Sequence, residues 1–231
     1  GATDIEKRYG RAWALRRVSF ELGQHGFLLV TGANGSGKTT LLRLLVGLAN
    51  PTRGSLTVAA PRAQVGYLGH DPLVYRDLTG LENLELYGRL YRVPERRERI
   101  GMLLERFGLW EARNRRVVAY SRGMTQRLAL CRALLHDPSF VVLDEPFTAL
   151  DEAGAELLDR ELQALAGSAT VVVSRMTLRV SRRLQQRGLR FHAGANHGRF
   201  RTQERNRLAL HVRSHQRAVG VVVFQERNER G

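Results

Sequence analysis

The string with the most evident chemistry is Gly32-Ala33-Asn34-Gly35-Ser36-Gly37-Lys38-Thr39, which fits G-x-x-x-x-G-K-[ST]. Glycines let a backbone curl so that several N–H groups point inward at phosphate oxygens. A helix starting at such a loop adds the positive end of its dipole. Lys38 then reaches the β- and γ-phosphates, and Thr39 places a hydroxyl on Mg²⁺. At ordinary residue usage the pattern arises by chance in roughly one chain per hundred of this size, and the apolar run before it makes chance rarer still. A second string, Phe140-Val141-Val142-Leu143-Asp144-Glu145-Pro146, is four apolar residues ending in two acids. A buried strand ending this way puts adjacent carboxylates at its tip, where Asp144 can hold Mg²⁺ and Glu145 can orient or deprotonate an attacking water. A third, Tyr120-Ser121-Arg122-Gly123-Met124-Thr125-Gln126-Arg127, opens a helix with Ser121 as a natural N-cap. Gly123 permits close approach of a ligand, and a free helix N-terminus attracts anions.

These strings need a scaffold of strands and helices. Residues 16–22, 27–31, 55–58, 65–68, 140–143 and 170–173 read as strands, and 219–224 as a further buried strand. Residues 39–48, 81–92, 94–107, 124–135 and 152–165 read as helices. The alternation predicts an α/β fold with a mostly parallel sheet, in which the helical stretch 77–122 is an insertion. No repeat and no low-complexity linker is evident.

Composition narrows the class. The 231 residues suit one domain, or a domain with a subdomain, and no apolar run nears the ~18–20 residues that span a bilayer. No signal-peptide pattern opens the chain. Cys131 is the single cysteine, so no internal disulfide forms, which fits a reducing compartment. The net charge of +15 invites a nucleic-acid reading, but its distribution argues against one. Residues 175–231 hold 14 Arg against Glu204, Glu226 and Glu229, a net +11, leaving +4 for the first 174 residues. With Phe191, Phe200 and Phe224 as its aromatics, this segment offers no stacking platform, and nucleic acid is not expected as a partner.

The three strings and their order resemble the ABC ATPase family over residues 5–174. Gly32 to Thr40 resembles its Walker A motif, Phe140 to Asp144 its Walker B, and Glu145 stands at the position of the catalytic glutamate. Ser121-Arg122-Gly123-Met124 resembles the signature LSGGQ, with Tyr120, Arg122 and Met124 as departures. Ala149-Leu150-Asp151 resembles the D-loop, and Tyr9 stands where the family stacks an aromatic on adenine, with Trp13 as the alternative. The resemblance implies a P-loop NTPase core, RecA-like, with an N-terminal antiparallel β portion and an inserted helical subdomain at 77–122. It also implies ATP and Mg²⁺ as ligands, with Gly32, Asn34, Gly35, Ser36, Gly37, Lys38, Thr39 and Thr40 on the nucleotide. Two nucleotide-binding domains would close head to tail, each completing the other's site through Ser121 and Gly123. Transmembrane permease subunits would dock near residues 69–78, with this subunit peripheral on the cytoplasmic face of the membrane. ABC proteins of DNA repair or translation carry a coiled-coil arm or a second ATPase domain, and the sequence shows neither.

Three departures qualify the resemblance. His70 replaces the usual Gln that assists Mg²⁺ and the attacking water. The string Tyr67-Leu68-Gly69-His70-Asp71-Pro72, with Phe147-Thr148-Ala149-Leu150-Asp151, resembles the haem-exporter ATPases of cytochrome c maturation; a multidrug or lipid exporter is the alternative. After Ser174 the family continues Thr-His-Asp, but here Met176 holds the position of the histidine that senses the γ-phosphate. A thioether cannot donate that hydrogen bond, so impaired hydrolysis is expected. A shifted reading frame is one account: CGC-ATG-AC read from the third base gives CAT-GAC, His-Asp. On this reading residues 1–174 form the ATPase domain and 175–231 an atypical Arg-rich segment. Native basic-tail and divergent readings remain beside it, and His192, His197, His211 and His215 offer a weak metal pattern, His211 and His215 at helical i, i+4 spacing. Finally, the segment before Tyr9 is short for the family's first strand, so poor pairing is expected there.

Overall fold

Apolar side chains alternate or cluster along the chain in ways that fix its elements. The computed structural model describes residues 1–165, 167–175, 207–214 and 217–224. In chain order these are β1 (Ala2–Tyr9), β2 (Ala12–Phe20), β3 (Phe27–Gly32), α1 (Lys38–Leu45), β4 (Arg53–Leu56), β5 (Val65–Leu68), α2 (Gly80–Leu90), α3 (Arg96–Arg106), α4 (Arg122–Leu134), β6 (Phe140–Leu143), α5 (Glu152–Leu165), β7 (Thr170–Arg175), β8 (Arg207–Ser214) and β9 (Arg217–Phe224). They divide into two units, residues 1–59 with 165–231, and residues 60–164. The result is an α/β protein with parallel and antiparallel sheet.

In the first unit, β1 lies between β2 and β4, antiparallel to both. Ile5, Leu15, Val18 and Phe20 bury the inner face. The expectation of poor pairing at the N-terminus is therefore corrected: β1 is a full strand with a neighbour on each side. Its turn is Gly10-Arg11, closed by the Tyr9–Ala12 pair, and Gly10 takes the positive φ of 54° that a tight hairpin needs. β3 is buried along its apolar run, as a parallel strand covered on both faces must be, and it runs parallel to β7 and to β9. β8 pairs antiparallel with β9. His211 lies within β8, so helical i, i+4 spacing does not apply to it; His192, His197 and His215 lie outside the described residues. α1 ends three residues earlier than the periodicity predicts. Gly47, at φ 72°, turns the chain so that the N–H groups of Gly47 and Leu48 satisfy the carbonyls of Leu44 and Arg43.

In the second unit, β5 and β6 are parallel. The helices α2, α3 and α4 pack around Leu84, Ile100, Leu103, Leu104, Leu128 and Cys131. α2 opens with a capping box in which Thr79 Oγ1 accepts from Glu82 N and the Glu82 carboxylate accepts from Thr79 N. Among the described residues, no helix is long and apolar enough to cross a membrane.

Candidate functional site

The glycine-rich loop follows the carboxyl end of β3, the end of a parallel strand where ligands bind in α/β folds. Its last glycine has no alternative. Gly37 holds φ 104°, and a Cβ there would meet Ala14 O at 2.6 Å and Leu15 Cδ2 at 2.8 Å. Gly35 also takes positive φ, at 76°. Lys38 opens α1 with only 6% exposure, and its Nζ donates to Gly32 O (2.8 Å) and Ala33 O (3.0 Å). The amine is thereby held across the loop. Thr39 and Thr40 follow on the first turn, where helix N–H groups have no intrahelical acceptor. Among the described residues, the buried hydroxyls of Ser36 and Thr31 have no hydrogen-bond partner, which fits a loop built to meet phosphate oxygens. Asn34 is exposed beside them. The same unit carries both candidate adenine aromatics. Tyr9 ends β1 at 49% exposure with Lys7 Nζ 5.0 Å from its ring centroid, and Trp13 is flanked by the guanidinium groups of Arg8 and Arg16.

In the second unit, Asp144 and Glu145 follow the carboxyl end of β6. Asp144 is 2% exposed, and its N–H extends the ladder by donating to Leu68 O at 2.8 Å. Glu145 is half-buried in the left-handed region at φ 49°, a conformation costing about 1–3 kcal/mol that persists where surroundings enforce it. His70 is exposed two residues beyond the end of β5, at the same end of the parallel pair as the two acids. Ser121 caps α4 by accepting from Met124 N at 3.2 Å. Gly123 lies in the first turn of α4, where a Cβ would stand 3.2 Å from Ala149 O. Close approach there is thus used by this chain's own backbone. Asp151 precedes α5 and caps it, its Oδ1 accepting from Gly154 N at 2.8 Å. Met176 lies outside the described residues.

The donor set suits Mg²⁺. Thr39 in the first unit and Asp144 in the second each offer a hard oxygen, the ligand type Mg²⁺ ordinarily takes along with waters and phosphate oxygens.

Residues that sequence reasoning passed over hold these pieces in place. Asn83 is fully buried in α2; its Oδ1 accepts from Tyr75 N, and its Nδ2 donates to Tyr75 O and Thr79 O. Gln126 Nε2 donates to Pro146 O at 3.1 Å, tying α4 to the turn after Glu145. Arg132 is 4% exposed and donates to Tyr67 O at 2.6 Å.

Comparison with known proteins places the chain in a family. Residues 15–148 match the ABC transporter family. YxlF of Bacillus subtilis, an uncharacterized ABC transporter ATP-binding protein, is 43% identical over 166 residues, 68% of this chain and 56% of that protein. The daunorubicin resistance ATP-binding protein DrrA3 of Streptomyces coeruleorubidus is 37% identical over 194 residues, 79% of this chain and 61% of the relative. This chain therefore spans little more than half the length of these relatives. Among solved structures, the dimeric post-hydrolysis ATP-binding cassette MJ0796 bound to ADP and Pi superposes with a TM-score of 0.72 at 28% identity, over 78% of this chain and 89% of that one. The chain belongs to the ABC transporter family, as an ATP-binding subunit.

Proposed function

We propose that this chain binds and hydrolyses ATP to drive export through membrane permease subunits, as a peripheral subunit on the cytoplasmic face. The observation that carries the reading is the phosphate loop, with Lys38 held across it and buried unpartnered hydroxyls at Ser36 and Thr31. Lys38 and the amides from Gly32 to Thr40 bind phosphates, and Tyr9 stacks on adenine. Thr39 and Asp144 would each supply an oxygen to Mg²⁺, which would neutralise charge on the phosphate oxygens. Glu145 accepts a proton from water as that water attacks the γ-phosphorus; the bond to the β,γ-bridging oxygen breaks, and ADP and phosphate leave. His70 assists by orienting the water. Ser121 and Gly123 serve the nucleotide of a second copy, an arrangement supported by the dimeric neighbour.

Relatives named for daunorubicin resistance, bacitracin transport and Nod factor export favour an amphipathic small-molecule cargo. Haem is the second reading, carried by the Gly69-His70 dipeptide.

Because Met176 stands where the switch histidine is expected, turnover is impaired more than binding. Titration with a fluorescent ATP analogue and steady-state phosphate release test both claims. Lys38→Ala abolishes binding, and Met176→His raises kcat by about 10²-fold or more. Failure of the unmodified chain to bind ATP overturns the whole reading; an unchanged kcat in Met176→His overturns the defect alone.

A further inference from the structure

The second unit contains a clamp between α4 and β5 that none of the nucleotide motifs explains. Among the described residues, β5 is an edge strand paired with β6 alone. In a parallel pair, alternate residues turn both backbone groups toward the neighbour. Asp144 N bonds Leu68 O, so Gly66 and Leu68 face β6, and the carbonyls of Val65 and Tyr67 face the open edge. Two side chains of the α4 segment meet those two carbonyls. Arg132 Nη2 donates to Tyr67 O at 2.6 Å, and His136 Nε2 meets Val65 O at 3.2 Å.

The spacing explains the fit. α4 ends at Leu134, so Arg132 lies in its last turn and His136 in the turn that follows; four helical residues would advance about 6 Å. Two residues along a strand advance about 6.6 Å. Helix and strand run in opposite directions here, so Arg132 and His136 address Tyr67 and Val65 in turn. Gly66, between those two, has no side chain to hold the helix off; a Cβ there would meet Ala133 O at 2.4 Å. The guanidinium is further confined by the Tyr87 ring, 5.4 Å from its carbon, and it sits in the same cluster as Tyr91. Tyr91 in turn stacks on His136 with centroids 4.2 Å apart.

We infer that Arg132 is a positioning residue for hydrolysis: with His136 it clamps β5 to the helix that carries Ser121 and Gly123, and so fixes His70 relative to Asp144 and Glu145. The inference rests on the ATPase reading above. Arg132 touches no nucleotide in this scheme. It acts through Tyr67 O, and the rigid pair β5–β6 carries the constraint to the two acids.

The test uses the full chain with Arg132→Met, Arg132→Lys and His136→Gln. Three quantities are read: kcat, ATP Kd, and hydrogen exchange at the Asp144 amide, which reports the last bond of the β5–β6 ladder. Arg132→Met lowers kcat about 10–100-fold, the scale of a misplacement near 1 Å, while Kd moves less than about twofold. Its Asp144 amide exchanges faster, and the amides of α1 do not. Arg132→Lys, which keeps one donor, recovers part of kcat. His136→Gln, which keeps a donor toward Val65 O, stays closest to the unmodified chain. A folded Arg132→Met with unchanged kcat and unchanged exchange at Asp144 overturns the inference. So does a loss in which kcat and Kd worsen by the same factor. If Arg132→Met does not fold, Arg132→Lys decides on the same criteria. Absence of turnover in the unmodified chain instead counts against the ATPase reading, and the exchange measurement still decides the clamp.

Discussion

Gly66→Ala probes the α4–β5 contact with a single added methyl group. The new Cβ would stand 2.4 Å from Ala133 O, 2.7 Å from Pro138 Cγ and 3.3 Å from Pro138 Cβ, where ordinary contact begins near 3.4 Å. The first atom is helix backbone and the others belong to a ring, so none rotates away. Relief requires α4 to retreat by about 1 Å, and overpacking of this kind costs about 1–3 kcal/mol. Opposing this, alanine narrows the unfolded ensemble by about 0.4–1 kcal/mol, since Gly66 does not need positive φ. The net is a loss of about 1–2 kcal/mol, or a Tm lower by about 2–8 °C for a chain of this size. Gly101→Ala is the control within the same unit. Its Cβ would lie 3.8 Å from Trp110 Cζ3 in helix α3, an ordinary contact, and the gain in helix propensity raises stability by about 0.5–1 kcal/mol. Thermal and urea unfolding followed by circular dichroism compare the two. A Gly66→Ala protein that melts at or above the unmodified chain refutes the claim that α4 and β5 are in unyielding contact.

Glu145→Gln is expected to lower kcat by about 10²–10⁴-fold relative to the unmodified chain with ATP affinity retained; equal turnover in single-turnover assays removes Glu145 from proton transfer. His136 gives a pH dependence. Burial holds it below its ordinary 6.5; Arg132 and Arg99 add to the depression, while the bond to Val65 O and the charge of Asp137 oppose it. The unfolded chain binds the proton more readily, so this contribution is complete above 6.5 and is lost as pH falls through the depressed value. His136→Gln flattens that slope in urea midpoints taken across the acid range, and an unchanged slope assigns the effect elsewhere. Cys131 is fully buried, its thiol pushed up by burial and set 3.6 Å from Leu103 O, so it resists alkylation until the protein unfolds. Mass spectrometry after brief treatment with iodoacetamide checks this, and labelling of the folded chain contradicts the buried position.

The parts of the fold that could be read in the sequence were those with local causes. The apolar runs at Phe27–Gly32 and Phe140–Leu143 are strands because four or more consecutive buried residues with turn signals suit a parallel strand. Gly37 and Ser121 announced the helix starts behind them, and both sit there. The start of α2 was also legible, because Thr79-Leu81-Glu82 contains the capping-box spacing, although periodicity alone put it a residue late. What sequence could not supply were contacts between distant segments. Nothing near Ala2–Tyr9 indicates that residues 53–56 will pair with it, so a strand with neighbours on both sides looked like a weak edge. Likewise Gly66 is an unremarkable glycine until Ala133, 67 residues later, packs against it. Arg132 and Asn83 sat inside helical patterns as ordinary polar residues, and only burial reveals that their bonds go to other segments.

Several contacts within the second unit share one helix. α4 has 13 residues and so is about 20 Å long. Gly123, in its first turn, lies against Ala149 O; Gln126 holds Pro146 O; Arg132 holds Tyr67 O. Three backbone carbonyls, before and after the acid pair, are therefore referenced to a single rigid body. Backbone carbonyls cannot change rotamer, so a displacement of Ser121 by an anion at the helix start cannot be absorbed by side-chain adjustment at these points. It must move the turn after Glu145 and the end of β5 together, or it must break a bond that is observed. A helix arranged this way ties the turn after Glu145 and the end of β5 to one body. Uncoupling then has a definite signature: Gln126→Leu and Arg132→Met, each cutting one tie, should depress kcat more than additively when combined, whereas strictly additive losses would mean that the two ties act independently.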